Sequence, residues 1–237
     1  MKEKKFSISF VLPMYNERDN IAGTIMEIRS IGQELADDYE IVVVDDASSD
    51  GSADIVEEIA KSDGTVKVFR LAKNSKFGGA FARGFKSAEK DVIIYMDSDM
   101  PVEREDIKTS LPLIENSDIV TGYSRIKKGD TLRRKIISGT YNFMVQALFR
   151  LSVKDINSGY KIVKREVVKN INFISQSPFV DVELFIHAKK KGFSVRQFPL
   201  VFRSRSGGKS HIARLPVILA TFRDMVKVKF YSYRIQK

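Results

Sequence analysis

The first half of the chain alternates short apolar runs with amphipathic segments, and this pattern constrains the fold more than any other feature. Residues 40–44 are mostly β-branched, as in a buried strand, whereas residues 52–61 have the spacing of an amphipathic helix. The apolar runs predict strands at 6–12, 40–44, 66–71, 91–96 and 118–122. Because strands and helices alternate, we expect an α/β fold with a mainly parallel twisted sheet and helices on both faces.

The helices between those strands are expected at 20–35, 52–61, 78–88 and 107–115. The second half of the chain is less regular. It predicts a helix at 132–151 that mixes aromatic and basic residues, a polar turn at 155–161, a helix at 180–191 and a strand at 194–202. No repeat, low-complexity linker or domain boundary is visible, so we expect a single domain over residues 1–237.

Composition excludes several kinds of site. The chain has 237 residues and no cysteine, which excludes disulfide frameworks, thiolate zinc sites and cysteine nucleophiles. Its hydrophobic fraction of 43% and charged fraction of 30% are typical of a globular protein. The first residues lack the pattern of a signal peptide, and the apolar stretch 215–222 is shorter than a membrane span of about 20 residues. We therefore expect a folded cytoplasmic protein.

The net charge of +10 is unevenly divided along the chain. Residues 1–120 contain 15 Lys and Arg against 24 Asp and Glu, a net charge of −9, whereas residues 121–237 contain 25 against 6, a net charge of +19. This asymmetry predicts an anionic partner for the second half, which could be nucleic acid, a membrane surface or a phosphorylated substrate. A solvated basic face is the alternative, but the interleaved aromatic and aliphatic residues favour a partner.

Acidic residues stand where two of the predicted strands end, and ligands of parallel sheets bind beyond the carboxyl ends of the strands. Asp97 and Asp99 follow the strand at 91–96, so that their carboxylates can converge beyond the sheet edge. Two carboxylates, completed by water and diphosphate oxygens, suit Mg²⁺ or Mn²⁺. A turn or a helix cap is the alternative, since Asp-x-Asp occurs by chance in many proteins.

The other strand ends suggest a nucleoside site. Asp45 and Asp46 end the second strand, where a buried carboxylate can accept hydrogen bonds from a nucleobase or ribose hydroxyls, although these residues would also cap the turn. Tyr15, after the first strand, is placed to stack on a base. Residues 74–79 are basic and Gly-rich but lack the spacing of a P-loop or of a Rossmann dinucleotide motif, which excludes both of those sites.

Three further titratable residues lie on the helix predicted at 180–191. Asp181 and Glu183 stand at its start, where helix capping is the simple interpretation. His187 is flanked by apolar residues and is expected to pack.

Seven segments, in this order, resemble glycosyltransferase family 2 with the GT-A fold, and within it the polyprenyl-phosphate sugar synthases typified by dolichyl-phosphate mannose synthase. The resemblance covers about residues 6–212, nearly the whole chain. The segments are 12–17 (LPMYNE), 43–48 (VVDDAS), 74–79 (NSKFGG), 95–99 (YMDSD), 122–125 (GYSR), 155–161 (DINSGYK) and 205–210 (RSGGKS).

The resemblance implies a role for each part of the chain. About residues 1–120 would form the half that binds the nucleotide sugar, about 121–211 the acceptor-binding half, and about 212–237 a basic amphipathic tail. The residues implied to bind the nucleotide are Pro13, Tyr15, Glu17, Asp45, Asp46, Lys76 and Asp97. Mg²⁺ or Mn²⁺ would be held by Asp97 and Asp99. The residues implied to bind the diphosphate or the acceptor phosphate are Arg125, Arg134, Ser138, Arg205 and Ser210.

The catalytic set implied by the resemblance consists of Asp97, Asp99, Arg125 and Arg205. Two positions depart from the mannose synthases. Pro101 stands where they have a Gln that helps to bind the metal, and His211 stands where they usually have Lys. These departures put in doubt any transfer of sugar specificity from that subgroup.

The implied activity is inverting, metal-dependent transfer of a sugar from a nucleoside diphosphate to a polyprenyl (dolichyl or undecaprenyl) phosphate. A phosphate acceptor is already ionised near neutral pH, so no side chain is expected to act as general base. A family 2 transferase with a saccharide alcohol as acceptor is the alternative. The functional interpretation of Asp181 and Glu183 is recognition of sugar hydroxyls, or a general base if the acceptor is such an alcohol. A nucleic-acid-binding module is a remote alternative, because the acidic strand ends would repel a polyanion.

We expect the protein to be peripheral on the inner face of an anionic membrane. The contacts would be the helix at 132–151 and the tail at 212–237. In the tail, four apolar residues share one helical face: Leu215, Ile218, Leu219 and Phe222. Packing of that face against the sheet is the alternative.

Overall fold

The computed structural model of the protein describes residues 6–125, 132–203 and 215–234, and within these ranges the side chains at 132–138, 215 and 231–234 are not described. The strands are β1 (Phe6–Met14), β2 (Ala36–Asp45), β3 (Val66–Arg70), β4 (Val92–Met96), β5 (Ile119–Ser124), β6 (Tyr160–Lys164) and β7 (Val195–Leu200). The helices are α1 (Ile21–Leu35), α2 (Ser52–Ser62), α3 (Lys76–Ser87), α4 (Arg104–Ser110), α5 (Leu132–Phe149), α6 (Arg165–Val168), α7 (Val180–Lys191) and α8 (Leu215–Arg234).

All of the described strands form one sheet in the order β3-β2-β1-β4-β6-β5-β7. Neighbouring strands are parallel except at β6, which runs antiparallel to both β4 and β5. The predicted α/β fold with a mainly parallel sheet is therefore confirmed.

The predicted polar turn at 155–161 is wrong at its end, because Tyr160 and Lys161 begin β6. Lys161 gave this segment a polar character in the sequence, yet its side chain is fully buried. The predicted helix at 107–115 is also divided, since α4 ends at Ser110 and a 3₁₀ helix follows at Leu111–Asn116.

The helices cover both faces of the sheet, and the side chains of the strands alternate between two apolar layers. On one face, Phe10 and Leu12 of β1 pack with Ile25 of α1. On the other face, Val11 packs with Phe81 of α3 and with apolar residues of α5, α7 and α8. The period of two along β1 is what a strand buried on both faces requires.

Helix α3 approaches the sheet closely. A Cβ atom on Gly84 would clash with the side chain of Val11 on β1. In the same helix, the Phe81 ring packs against Phe85 and Tyr95, and its centroid lies 4.5 and 4.9 Å from the centroids of those two rings. This contact fixes α3 over the strands whose carboxyl ends form the candidate site.

Helix α8 lies against the second half of the protein through a single face, on which Met225 and Val228 are buried. Its Lys229 Nζ donates to the carbonyl of Leu148 at the end of α5, at 2.9 Å. Among the described helices, none combines the length and the apolarity needed to span a bilayer.

Candidate active site

The candidate active site is the edge of the sheet where β1, β2 and β4 end and where the antiparallel β6 begins. Because β1 lies between β2 and β4, this edge places residues 45–46 and 97–99 on either side of residues 13–17. Acidic side chains from strands far apart in sequence therefore lie side by side.

Asp97 and Asp99 lie in the turn that follows β4. The N–H of Asp97 donates to the carbonyl of Gly159 at 3.3 Å, which continues the β4–β6 ladder beyond the strand. Ser98 is buried between the two aspartates, and its carbonyl accepts a hydrogen bond from Thr24 Oγ1 at 2.9 Å. The backbone of the turn is thus fixed from both sides, while the two carboxylates are half-buried at the surface of the edge.

Gly159 leaves the room that the Asp97 carboxylate occupies. A Cβ atom at position 159 would lie 2.7 Å from Asp97 Oδ2, closer than non-bonded atoms can approach. Any larger residue would displace Asp97 or β6. The glycine therefore matters here because of a close approach and not because of an unusual backbone conformation.

A buried ion pair holds the segment that contains Gly159. Lys161 Nζ lies 2.8 Å from Asp181 Oδ1 of α7, and both side chains are almost fully buried. The same ammonium donates to the carbonyl of Ser158, and Asn157 Nδ2 lies 3.3 Å from Asp181 Oδ2. Asp181 thus fastens both ends of the segment 157–161 to the start of α7.

The charges in this buried cluster balance one another. Burial raises the pKa of Asp181, and the ammonium of Lys161 opposes that rise. Burial also raises the pKa of Tyr95, whose ring lies 5.6 Å from Lys161 Nζ, and the negative charges of Asp97 and Asp181 add to the rise. Tyr95 therefore stays a neutral phenol, and Asp181 serves as the partner of a buried lysine.

Asp45 and Asp46 are both buried where β2 ends, and both bind the protein backbone. The oxygens of Asp45 accept the N–H of Ser48 at 3.2 and 3.3 Å. Asp46 Oδ1 accepts both the N–H and the hydroxyl of Ser75, at 2.5 and 2.7 Å. Burial raises the pKa of Asp46, and these hydrogen bonds and the nearby charge of Lys76 oppose the rise.

The loop after β1 is tied to the loop after β2. The N–H groups of Asn16 and Glu17 donate to Ser48 Oγ and Ser52 Oγ at 2.9 and 3.0 Å. Within this fixed loop, the Tyr15 side chain is 46% exposed, so its ring is available to a ligand. Pro13 and Glu17 are half-buried beside it.

Lys76 begins α3 in the left-handed backbone region, with φ of 65°, and its side chain is exposed. It stands next to Ser75, which Asp46 holds, so the Gly-rich segment 74–79 faces the same edge as β2. The structure therefore places a lysine near the acidic strand ends.

The predicted phosphate-binding residues are described only in part. Arg125 directly follows β5, where its N–H donates to the carbonyl of Leu200 at 2.8 Å and its side chain is exposed. Arg134 and Ser138 lie in α5, but their side chains are not described. Arg205 and Ser210 lie outside the described residues. His211 lies outside them as well.

The backbone carbonyl of Pro101 forms a structural hydrogen bond. It accepts the N–H of Arg203 at 2.9 Å, and the Arg203 guanidinium forms ion pairs with Glu27 and Glu103 at 3.0 and 2.5 Å. These carboxylates raise the pKa of Arg203. The turn after Asp99 is therefore linked to the residues that follow β7. The side chain at position 101 offers no third metal ligand.

Asp97 and Asp99 could hold a divalent cation, because both offer hard carboxylate oxygens and Gly159 leaves space beside one of them. Within the described residues, no group of three or more acidic or histidine side chains is arranged to bind a metal. A cation at this edge would therefore need oxygens from a ligand to complete its coordination, and the residues present fit such an incomplete site.

The model of glycosyl transferase family 2 matches residues 9–171, a range that contains the segments 13–17, 45–46, 97–99 and 157–161 described above. The chain belongs to glycosyl transferase family 2. The family predicted from the sequence segments is thereby confirmed.

Several curated proteins of known name are similar to this family 2 chain. The dolichol-phosphate mannosyltransferase of Pyrococcus furiosus is 34% identical over 212 residues, which cover 86% of this chain and 59% of that protein. The undecaprenyl-phosphate 4-deoxy-4-formamido-L-arabinose transferase of Serratia proteamaculans is 28% identical over 178 residues, covering 74% and 54%. Glycosyltransferase AglD of Haloferax volcanii is 26% identical over 216 residues, covering 87% and 35%. The chain thus spans between about a third and three fifths of the length of these relatives.

Solved structures confirm the GT-A fold. Mannosyl-3-phosphoglycerate synthase of Rubrobacter xylanophilus superposes with a TM-score of 0.71 at 20% identity, covering 98% of this chain and 76% of that one. Glucosyl-3-phosphoglycerate synthase of Mycobacterium tuberculosis, solved with Mn²⁺, UDP and glucosyl-3-phosphoglycerate, superposes with a TM-score of 0.66 at 22% identity, covering 86% and 73%. A relative in fold has thus been solved with a divalent metal and a nucleoside diphosphate.

Sequence reasoning did not assign roles to Gly159 and Lys161. Both stand in the family-like segment 155–161, so their position was visible. The contacts with Asp97 and Asp181 join residues 62 and 20 positions apart and could not be deduced from spacing alone.

If the acidic edge binds a divalent cation with a nucleoside diphosphate, Gly159→Ala should weaken the binding of UDP or GDP with Mn²⁺ about tenfold or more, because the new methyl group displaces the Asp97 carboxylate. Calorimetric titration of UDP in the presence of Mn²⁺ measures this. Gly23→Ala is the matched control, since no atom lies within 4 Å of the Cβ position at Gly23 in α1. Equal affinity in the Gly159→Ala variant would contradict the role given to this glycine.

Proposed function

We propose that this chain is an inverting glycosyltransferase that moves a sugar from a nucleoside diphosphate to a polyprenyl phosphate. The observation that carries the proposal is the placement of Asp97 and Asp99 at the end of β4, facing the loops after β1 and β2, in a family 2 chain. The names of the relatives from Pyrococcus furiosus and Serratia proteamaculans support a polyprenyl phosphate as acceptor.

The donor side of the proposal follows from charge. A diphosphate would be repelled by the carboxylates of Asp45, Asp46, Asp97 and Asp99. Mg²⁺ or Mn²⁺ held by Asp97 and Asp99 would neutralise the charge of the diphosphate and help the nucleoside diphosphate to leave. We assign nucleoside binding to Pro13, Tyr15 and Glu17. Asp45 and Asp46 would contribute carboxylate oxygens that can accept further hydrogen bonds. Lys76 would contact the diphosphate.

The acceptor side follows from the acids of α7. An alcohol acceptor needs a base, but Asp181 is paired with Lys161, and Glu183 accepts two backbone N–H groups. Both carboxylates are buried. A phosphate acceptor needs no base, since its second pKa of about 6 makes it a dianion at neutral pH. The arrangement of these two acids therefore favours a phosphate over a saccharide alcohol.

The reaction would be a single displacement. An oxygen of the acceptor phosphate forms a bond to the anomeric carbon of the sugar, the bond from that carbon to the donor phosphate oxygen breaks, and the nucleoside diphosphate leaves with the electron pair. Attack from the opposite side inverts the configuration of the carbon. The acceptor phosphate would be oriented by Arg125, Arg134, Ser138, Arg205 and Ser210. The arginines suit this task because guanidinium groups bind phosphate in a bidentate fork.

Helix α8 offers a surface for a lipid-bound acceptor. Five of its apolar side chains are between 38% and 69% exposed and share one side of the helix: Ile218, Leu219, Phe222, Val226 and Phe230. We call these residues the α8 apolar surface. Their exposure contrasts with the burial of Met225 and Val228 on the same helix, which argues against packing of this surface on the sheet. An exposed apolar surface flanked by basic residues is typical of peripheral membrane proteins.

We expect sugar transfer to undecaprenyl or dolichyl phosphate and none to the corresponding polyprenol, which lacks only the phosphate. The assay presents UDP-, GDP- and dTDP-sugars with Mn²⁺ and follows the lipid product. Because the acceptor dianion is the nucleophile, the rate should rise with pH through about 6 and then level off. Transfer to an alcohol acceptor, with none to polyprenyl phosphate, would overturn the proposal.

Arginine variants sharpen this assay. Arg125→Lys keeps the charge but loses the bidentate contact, so turnover should fall about tenfold or more. Arg205→Lys should behave in the same way. Arg196→Lys, on the exposed side of β7, is the control and should leave turnover unchanged.

We expect the α8 apolar surface to bind anionic membranes. Replacing Leu219 and Phe222 together by Asp should weaken co-sedimentation with phosphatidylglycerol vesicles at least tenfold, since each exposed side chain would bury about 1.5–3 kcal/mol of apolar transfer energy. Met26→Asp, at a residue of α1 that is 62% exposed, is the control. If the double variant sediments like the unmodified protein, the membrane contact lies elsewhere.

A further inference from the structure

A buried carboxylate on α8 binds the protein backbone far from its own helix. Asp224 is only 2% exposed, among the apolar residues Met225 and Val228. Its Oδ2 atom accepts the N–H groups of Gln176 and Ser177 at 3.0 and 2.9 Å. A buried carboxylate is costly unless it is hydrogen-bonded, so these contacts explain its place in the helix.

Glu183 of α7 binds the amides of the two residues that precede Gln176. Its carboxylate oxygens accept the N–H groups of Ile174 and Ser175 at 2.9 and 3.0 Å. Four consecutive amides, those of residues 174–177, are therefore held by two buried acids from two helices. Charge-assisted hydrogen bonds of this kind are stronger than neutral ones, so the segment 174–177 is firmly held.

The segment 174–177 rests directly on the start of α3. The N–H of Gly78 donates to the carbonyl of Gln176 at 2.9 Å. A Cβ atom at Gly78 would clash with the backbone of Ser175 and Gln176, so the two backbones are in close contact. Gly78 lies in the first turn of α3, and we call residues 74–79, which lead into and begin this helix and include Lys76, the donor loop.

The other end of that loop is held by β2. Asp46 Oδ1 accepts the N–H and the hydroxyl of Ser75, and Asn74 Nδ2 donates to the carbonyl of Asp46 at 3.2 Å. Between these anchors, Lys76 adopts a φ of 65°, a conformation that a non-glycine residue holds only when its surroundings enforce it. One anchor is the contact of Ser75 with Asp46, and the other is the contact of Gly78 with the segment 174–177.

We propose that Asp224 is a positioning residue for donor binding, acting through the segment 174–177 on the loop 74–79. This inference rests on the proposed function, in which that loop contacts the donor diphosphate. Helix α8 then has two roles, because its buried face supports the donor loop while its opposite side carries the α8 apolar surface. Asp224 does not touch the donor itself.

The test compares Asp224→Ala with Val228→Ala, which removes a neighbouring buried side chain of α8 but keeps the hydrogen bonds from Asp224 to Gln176 and Ser177. Asp224→Ala should weaken the binding of UDP and GDP in the presence of Mn²⁺ about tenfold, whereas Val228→Ala should leave the affinity within about twofold. Asp224→Asn keeps an oxygen that can accept both N–H groups, so its affinity should lie between those of the unmodified protein and Asp224→Ala. Calorimetry measures these affinities.

Hydrogen exchange provides an independent readout. In Asp224→Ala or, if that variant does not fold, in Asp224→Asn, the amides of Gln176, Ser177 and Gly78 should exchange faster. Val228→Ala should not produce this pattern. Unchanged nucleotide affinity in a folded Asp224→Ala variant would overturn the inference and leave the proposed function intact. If the unmodified protein bound none of the nucleotides, the proposed function would fail, and unchanged exchange at Gly78 would then decide against the positioning role.

Discussion

The pairing of β4 with β6 is the contact on which the candidate site depends, because it joins the acidic first half of the chain to the basic second half. The strands pair in register from Val92 with Lys164 to Met96 with Tyr160. The hydrogen bond from Asp97 to Gly159 extends this ladder into the turn. Since β6 is antiparallel, its first residues meet the last residues of β4 at one edge. Asp97 is therefore positioned by a strand from the other half.

Two groups of carboxylates in and around this edge have different tasks. Asp181, Glu183 and Asp224 are buried and bound by an ammonium or by backbone amides, so they stabilise loops. Asp97 and Asp99 are half-buried at the surface of the edge. Fixed negative charge next to an anionic donor is unfavourable in the absence of a cation, and the same charge becomes useful once a divalent ion lies between them.

The sequence predicted the fold well where local pattern decides the structure, and poorly where a long-range contact does. Buried β-branched runs located the strands of the first half, and Asp97 and Asp99 were found because they follow such a run. Strand β6 was missed because Lys161 and Lys164 make it polar, and only the distant Asp181 permits Lys161 to be buried. Asp224 gave no local signal either, since its partners lie 47 and 48 residues away.

Calorimetric titration with UDP and GDP tests whether the acidic strand ends bind a nucleoside diphosphate through a divalent cation. We expect binding in Mn²⁺ or Mg²⁺, loss of that binding in EDTA, and a large loss of affinity in Asp99→Asn even when metal is present. Equal affinities with Mn²⁺ and with EDTA, or an unaltered affinity in Asp99→Asn, would contradict this expectation.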